Sequence, residues 1–280
     1  MSDYGRPVRF GYFLIPEAHP SRPLEIAQLA DQLGLDYIGV QDHPYQRRFH
    51  DTWTLMTAIA MRTRRISVFP DVASLPLRPP ATLAKAAATL DQLSGGRFEL
   101  GLGAGAFWDA IVAMGGPRRT PGESIRALGE AIQVIRLMWS DQPAVRFKGE
   151  FYELAGVKPG PQPAHPIGIW LGVYKPRGLA LVGRLAGGWV PSLGGVGPAD
   201  LDAGNQRIDE AARAAGRDPA AIRRVLNVMD RPSAELLAEL TLEHGVDTFL
   251  IAQGEDPSAQ LRELEQEIVP RTSELVAAGR

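Results

Sequence analysis

The amino-acid sequence predicts an α/β protein that forms a single (β/α)8 TIM barrel. Short apolar runs alternate with longer segments of helical period along the 280 residues, which is typical of repeated strand–helix units. Eight such units can be counted, and parallel strands joined by right-handed crossovers close naturally into an eight-stranded barrel. A doubly wound open sheet is the competing architecture, but such sheets rarely reach eight regular units without a second domain. We therefore expect one domain over residues 1–280.

The first four units follow one another without interruption. Their predicted strands are short apolar runs, namely Val8–Leu14, Tyr37–Gln41, Ile66–Ala73 and Phe98–Gly103. Their predicted helices have apolar residues at helical spacing and are bounded by glycine, proline or serine, namely Ser21–Leu33, Thr52–Met61, Pro80–Leu93 and Gly122–Trp139.

The alternation breaks between Ser140 and Pro166, and it then resumes for four more units. Within the break, Val145–Leu154 alternates around a Lys-Gly turn, so we predict a hairpin-like insertion (about 140–166) after strand four. The later predicted strands are Ile167–Leu171, Gly188–Val190, Arg223–Met229 and Thr248–Ile251. The later predicted helices are Pro176–Leu185, Pro198–Ala215, Ser233–Leu242 and Pro257–Ala277.

The composition excludes several functional classes. Lys plus Arg is 30 and Asp plus Glu is 32, so the net charge of −2 argues against a nucleic-acid surface or a polybasic membrane anchor. The absence of cysteine excludes disulfides, thiolate catalysis and cysteine-ligated clusters. No apolar run reaches the roughly 18 residues that a membrane span needs, and no signal core opens the chain, so we expect a cytoplasmic protein.

Metal and serine-nucleophile chemistry are not indicated either. The five histidines form no H-x-H or H-E-x-x-H pair, and these are His19, His43, His50, His165 and His244. The G-x-S-x-G elbow of serine hydrolases is also missing. The sequence therefore predicts no metal site, and we expect an organic cofactor to supply any difficult chemistry.

Catalytic groups of a barrel lie where strands end, and two such positions carry polar residues. After strand two, Asp42 precedes His43, and an acid beside an imidazole can supply a proton donor or acceptor near neutral pH. The alternative is that Asp42 forms a turn and His43 packs in the loop. After strand three, a proline-rich segment ends at Arg78, which either approaches an anion or is solvated.

Glycine and cationic residues follow strands four and five. Gly101, Gly103 and Gly105 allow the backbone to pass close to a flat ring or a phosphate. A dinucleotide fingerprint is rejected there, because it falls on the fourth strand and lacks its acidic partner. After strand five, Pro176 begins a helix between Lys175 and Arg177, which indicates a phosphate site; two solvated cations are the alternative.

The stretch LAKAAATLDQLSGGRFELGLGAG, at Leu83–Gly105, strongly resembles the signature of the luciferase-like monooxygenase superfamily, whose members use FMN or the deazaflavin F420. The order of the other motifs is similar too: Asp-His after strand two, a proline-rich strand three, a Gly-x-x-x-Pro loop at 172–176 and Gly187-Gly188-Trp189 close behind. This resemblance implies a (β/α)8 barrel with a flavin-like ring at its C-terminal mouth.

The resemblance also implies roles for individual residues. It assigns His43 and Asp42 as the catalytic pair and places a non-prolyl cis peptide at Asp71–Val72. The residues implied to bind the cofactor are Asp71, Val72, Ala73, Gly103, Ala104, Gly105, Gly172, Val173, Tyr174, Lys175, Pro176 and Arg177. The residues expected to wall an apolar substrate pocket are Tyr45, Phe49, Phe107 and Trp108, although Trp108 is equally explained as core. Asp91 and Arg97 are interpreted as structural.

We expect the cofactor to be F420, with FMN as the alternative. The Asp-His-Pro form resembles the F420 branch, and Arg118, Arg119, Lys175 and Arg177 are available to a polyglutamate tail. The predicted activity is hydride transfer between F420 and a small organic substrate. The alternatives are an FMN-dependent monooxygenase that uses O2, a non-catalytic flavin-binding or structural relative, and a barrel hydrolase. The resemblance further implies a homodimer, and a flavin or F420 reductase as electron source.

Overall fold

The computed structural model describes residues 3–18 and 22–280, so the predicted helix start at Ser21 and the histidine His19 lie outside the described residues. The strands are β1 Arg9–Leu14, β2 Tyr37–Val40, β3 Ser67–Pro70, β4 Ala73–Ser74, β5 Leu100–Gly103, β6 Val145–Lys148, β7 Glu153–Val157, β8 Ile169–Gly172, β9 Gly188–Trp189, β10 Arg223–Val228 and β11 Thr248–Ala252. The helices are α1 Arg22–Leu33, α2 Thr52–Arg62, α3 Pro80–Ser94, α4 Trp108–Ala113, α5 Pro121–Met138, α6 Pro176–Leu185, α7 Pro198–Ala214, α8 Ala234–Leu242, α9 Pro257–Glu263 and α10 Val269–Gly279.

The parallel strands form a barrel, which confirms the predicted fold class. Their order is β3-β2-β1-β11-β10-β9-β8-β5-β4, and every pairing in it is parallel. The two segments at the ends of this order, β3 and β4, belong to one predicted strand that is interrupted at Asp71–Val72. The order therefore closes on itself around eight strands. The strands are almost entirely buried because helices cover their outer faces.

Two details of the structure were not predicted, whereas the predicted hairpin after α5 is present. The single closing helix is α9 and α10 joined by a π-helical segment at Leu264–Ile268. The short helix α4 follows the glycine-rich end of β5 and was not predicted, since six residues are too few to show a helical period. The alternating stretch after α5 forms the antiparallel pair β6–β7. Within the described ranges, no helix is both long and apolar enough to cross a membrane.

Asp91 and Arg97, two residues of the strongest sequence motif, make structural contacts, as predicted. The buried Asp91 carboxylate accepts hydrogen bonds from the backbone N–H groups of Ala164 (2.7 Å) and His165 (3.1 Å). Arg97 donates to three backbone carbonyls around the end of α2, including those of Ala60 and Ile66, both at 2.8 Å. These contacts tie α3, the segment before β8 and the α2–β3 loop together at the end of the barrel where the strands begin.

We expect His165→Gln to destabilise the protein more at pH 5.5 than at pH 8.5, by about 1 kcal/mol. The side chain lies between Glu99 (3.7 Å) and Asp91 (2.8 Å), and the Glu99 contact, followed by the charge of Asp91, raises the pKa of His165. A raised pKa gives stabilisation that is complete below the unfolded-state pKa and is lost as pH rises through the folded-state value. Urea unfolding at both pH values measures the difference. His50→Gln, at an exposed position, is the control, and an equal loss at both pH values would contradict the prediction.

Candidate functional site

A cavity of 240 Å³ lies at the mouth of the barrel, where the strands end. We call it the central cavity. The predicted site residues that line it are Asp42, His43, Tyr45, Asp71, Val72, Ala73, Gly103, Ala104, Gly105, Gly172 and Tyr174. Lining residues that were not predicted are Phe13, Gln41, Ser74, Ala106, Val190, Ser192 and Asn227. Gln41, Ser74 and Ala106 directly adjoin predicted site residues, whereas Phe13 and Asn227 lie on β1 and β10, where the sequence shows no distinctive motif.

A second cavity of 610 Å³, the side cavity, adjoins the central one and shares Ala104, Gly105, Gly172 and Tyr174 with it. It lies between the first turns of α5 and α6 and is also lined by Trp108, Pro121, Gly122, Ser124, Ile125, Val173, Lys175, Pro176 and Arg177. Every residue that the resemblance assigned to cofactor binding lines one or both of these cavities.

The two helix N-termini at the side cavity differ in their capping. Thr120 and Glu123 form a capping box that satisfies the first turn of α5. At α6, Lys175 is the N-cap residue and makes no side-chain cap, so the first N–H groups of the helix remain available. Lys175 and Arg177 are both exposed beside this end. The start of α6 therefore provides free donors, the positive end of the helix dipole and two cations.

A kink in the third strand forms part of the wall of the central cavity. The peptide bond Asp71–Val72 is cis, which confirms the position that the resemblance implied. The Val72 side chain lies among three glycines: a Cβ atom would lie 2.8 Å from Val72 Cγ2 at Gly103, 2.9 Å from it at Gly172, and 3.2 Å from Val72 Cγ1 at Gly101. The glycines were predicted to admit a ring or phosphate. In the structure the space beside these glycines is occupied by the Val72 side chain, and Val72 in turn lines the central cavity.

His43 is held at the mouth by aromatic neighbours. Its Nδ1 lies 2.6 Å from the Tyr45 hydroxyl, and the edge of its ring meets Phe107 with centroids 5.5 Å apart. Burial lowers the pKa of His43, and the charge of Asp42 partly opposes this effect. His43 is therefore a largely neutral imidazole near pH 7, in which one nitrogen can accept a proton.

Asp42 makes no hydrogen bond to His43 among the described residues, so of the two ways in which it could assist the imidazole, orienting it or balancing its charge, only the second is left. Its fully buried carboxylate accepts from the Ser74 N–H (2.9 Å) and from two nitrogens of Arg78 (2.9 and 2.8 Å). Arg78 also binds Asp51, the N-cap of α2, at 2.9 Å. Arg78 is thus neither solvated nor open to an anion. This network fixes the strand-two loop to the strand-three loop and acts on His43 through charge alone.

Asp71 and Asn227 face each other below the kink. The Asn227 Nδ2 donates to Asp71 Oδ1 (3.1 Å), whereas Asp71 Oδ2 and Asn227 Oδ1 are buried without a partner among the described residues. Burial raises the pKa of Asp71 to about 7, with the Asn227 hydrogen bond acting in the opposite direction. Asp71 is therefore a titratable group of the cavity floor near neutral pH.

The predicted substrate-wall residues separate in the structure. Tyr45 lines the central cavity and Trp108 lines the side cavity. Phe107, with a left-handed backbone (φ 51°), is 65% exposed and packs on the Tyr45 ring at 6.0 Å. Phe49 lines neither cavity and forms an isolated bridge with Glu17 instead.

The two arginines considered for an anionic tail have protein partners. Arg118 pairs with the exposed Asp109, and Arg119 packs over Phe151 (5.2 Å) and Tyr152 (5.5 Å) in the β6–β7 hairpin. Lys175 and Arg177 are therefore the cations that line the side cavity itself.

Comparison with known proteins gives consistent matches over most of the chain. The family described as luciferase-like monooxygenase matches residues 8–268. An F420-dependent glucose-6-phosphate dehydrogenase from Amycolatopsis mediterranei is 33% identical over 194 residues, which cover 67% of this chain and 58% of that protein. A 5,10-methylenetetrahydromethanopterin reductase from Archaeoglobus fulgidus is 29% identical over 212 residues, which cover 75% and 60%. The chain thus spans about three-fifths of the length of these relatives.

Among solved structures, an F420-dependent secondary alcohol dehydrogenase in complex with an F420–acetone adduct superposes with a TM-score of 0.86. The superposition covers 95% of this chain and 99% of that one, at 20% sequence identity. At this identity the likeness supports the barrel fold.

Proposed function

Because the chain belongs to the luciferase-like monooxygenase family, we propose that it is an F420-dependent oxidoreductase. The cofactor, when bound, supplies a ring carbon that exchanges a hydride with a small organic substrate. The observation that carries the proposal is the pair of adjoining cavities, one at the barrel mouth and one between the N-termini of α5 and α6. The relatives named as F420-dependent support this choice of cofactor.

The residues present fit a planar ring that bears an anionic arm. The kink at Val72, backed by Gly103 and Gly172, offers a close-packed surface for one face of a ring. Lys175, Arg177 and the uncapped start of α6 supply positive charge and N–H donors for a phosphate. The buried polar atoms at Asp71 and Asn227 lie beside the same surface.

His43 would handle the proton of the reaction. When hydride leaves a substrate alcohol, the hydroxyl proton passes to His43 Nε2, and in the reverse direction the imidazolium returns it to the new alkoxide oxygen. Asp42 balances the positive charge at a distance while its hydrogen bonds stay with Arg78 and Ser74. Tyr45 lines the central cavity and would form the apolar side of the substrate space, with Phe107 packed against it from outside the cavity lining. A homodimer and a partner reductase remain predictions.

Titration of the purified protein with F420 and, separately, with FMN tests the choice of cofactor by fluorescence quenching. We expect saturable binding of F420. An FMN-dependent monooxygenase is the second candidate, which the family description favours, and tight binding of FMN with none of F420 would establish it in place of our proposal. Binding of F420 with no turnover of any alcohol or carbonyl substrate would instead support a non-catalytic relative. An activity that His43→Ala leaves unchanged would count in the same direction.

We expect the double variant Lys175→Ala/Arg177→Ala to bind F420 about 100-fold more weakly. Each charge-assisted hydrogen bond to an anionic arm contributes about 1.5 kcal/mol, and the two effects together correspond to roughly this factor. The same titration measures it, and the salt dependence of binding should decrease in the variant. Lys148→Ala, an exposed charge removal on β6, is the control and should leave affinity unchanged. Unchanged affinity in the double variant would refute the assignment of the side cavity to the arm.

A further inference from the structure

We propose that Tyr45 is the positioning residue for His43: its hydroxyl oxygen accepts a hydrogen bond from Nδ1–H and so leaves the Nε2 lone pair for the substrate. The contact that points to this role is the 2.6 Å distance between Nδ1 and the Tyr45 oxygen. Among residues 3–18 and 22–280, the His43 imidazole makes no other hydrogen bond. The choice of tautomer and its catalytic consequence both rest on the proposed function, whereas the measurement of the tautomer does not require F420.

Two aromatic rings, together with the hydrogen bond to Tyr45, fix the plane of the imidazole. The centroids of His43 and Tyr45 are 5.4 Å apart with a tilt of 44°, and Phe107 meets the imidazole edge-on at 88°. Tyr45 and Phe107 also contact each other. The imidazole is therefore held on two sides, and rotation about its side-chain bonds would break both contacts.

The charged neighbours do not offer an alternative partner. Asp42 precedes His43 directly, but its two carboxylate oxygens are bound by Arg78 and Ser74. Asp71, which also lines the central cavity, binds Asn227 through Oδ1, and among the described residues its Oδ2 makes no hydrogen bond to His43. Tyr45 is thus the side chain that can set which nitrogen of His43 carries the proton.

The direction of the hydrogen bond follows from what the proton transfer requires. If Nδ1–H donates to Tyr45, Nε2 can take a proton and return it while the Nδ1 contact stays intact in both charge states. If Tyr45 donated to Nδ1 instead, Nε2 would already carry its proton, and a second proton would have to move at every turnover. Burial raises the pKa of Tyr45 to about 12, so its hydroxyl keeps its own proton and remains a neutral acceptor.

Histidine-selective 15N NMR of the cofactor-free protein tests this assignment. The His43 resonances are identified as those missing from His43→Gln. At a pH where His43 is neutral, we expect a protonated Nδ1 and an unprotonated Nε2, which is the tautomer that the side chain of free histidine disfavours in water. In Tyr45→Phe we expect the Nε2–H tautomer, while the signals of the remaining histidines stay in place and show that the fold is kept.

A pH titration of the same signals gives a second and independent readout. An acceptor at Nδ1 stabilises the imidazolium, so Tyr45→Phe should lower the proton affinity of His43, by about fivefold for the loss of one hydrogen bond. If Tyr45 instead donated its proton to Nδ1, Tyr45→Phe would raise the proton affinity of His43. Tyr174→Phe is the matched control, because this cavity-lining tyrosine binds the Ser192 N–H instead and should leave His43 unchanged.

A protonated Nε2 in the wild-type protein, or a higher proton affinity in Tyr45→Phe, would overturn the inference. These outcomes do not depend on F420. Failure of F420 to bind would refute the proposed function and leave the NMR result standing.

Discussion

Gly103→Ala should lower the free energy of unfolding by about 2 kcal/mol and weaken F420 binding at least tenfold. The new Cβ atom would lie 2.8 Å from Val72 Cγ2, which is closer than real side chains approach. Val72 cannot retreat, because Gly172 confines the same methyl group from β8. Overpacking of this kind costs about 1–3 kcal/mol and displaces the group that is struck. Urea unfolding and fluorescence quenching measure the two effects.

A second substitution distinguishes this cause from a general loss of stability. Val72→Ala removes the Cγ2 methyl group that the new Cβ would meet, and the next contact of that Cβ is the Ala73 carbonyl at an ordinary 3.5 Å. We therefore expect the double variant to recover stability relative to Gly103→Ala. Gly129→Ala, in the middle of α5 with its nearest contact at 3.5 Å, is the control and should stabilise the protein by about 0.5 kcal/mol. Full stability and affinity in Gly103→Ala would contradict the prediction.

The fold could be predicted because its signals are local. Each barrel strand is a short apolar run, and helices α3, α5, α6, α7 and α9 each begin at a proline. Topology rules then leave few ways to connect eight such units. The interruption of the third strand was predicted from resemblance rather than from periodicity.

The site could be predicted only where its residues are consecutive or bear a recognised motif. His43 and Lys175 follow strand ends directly and were found. Asn227 lies 156 residues from its partner Asp71, and no sequence motif at the end of β10 indicates that contact. Arg78 and Asp42 were both singled out, but their ion pair was not predicted, since pairing across a 36-residue separation depends on the register of the barrel. Side-chain partners at the mouth are therefore set by tertiary structure.

Asp71→Asn should stabilise the cofactor-free protein, and its advantage should grow by about 2.5 kcal/mol between pH 5 and pH 8. Burial raises the pKa of Asp71 from 3.8 to about 7. In this interval the unfolded chain has already released the proton while the folded chain keeps it, so the stability of the wild-type protein falls as pH rises. Above about pH 7 both states are ionised and the penalty reaches about 4 kcal/mol. Asparagine has nearly the same shape and does not ionise, so it escapes this penalty.

Urea unfolding of both proteins across this pH range measures the effect. The hydrogen bonds of the new amide shift the curve by a constant amount, so the growth of the difference with pH reports the ionisation alone. Asp141→Asn, at an exposed position, is the control and should show no such growth. A difference that does not change with pH would show that Asp71 is ionised throughout. If the expected growth is found, Asp71 destabilises the free protein at neutral pH, and a residue of this kind on a cavity floor is explained by a function in ligand binding rather than in folding.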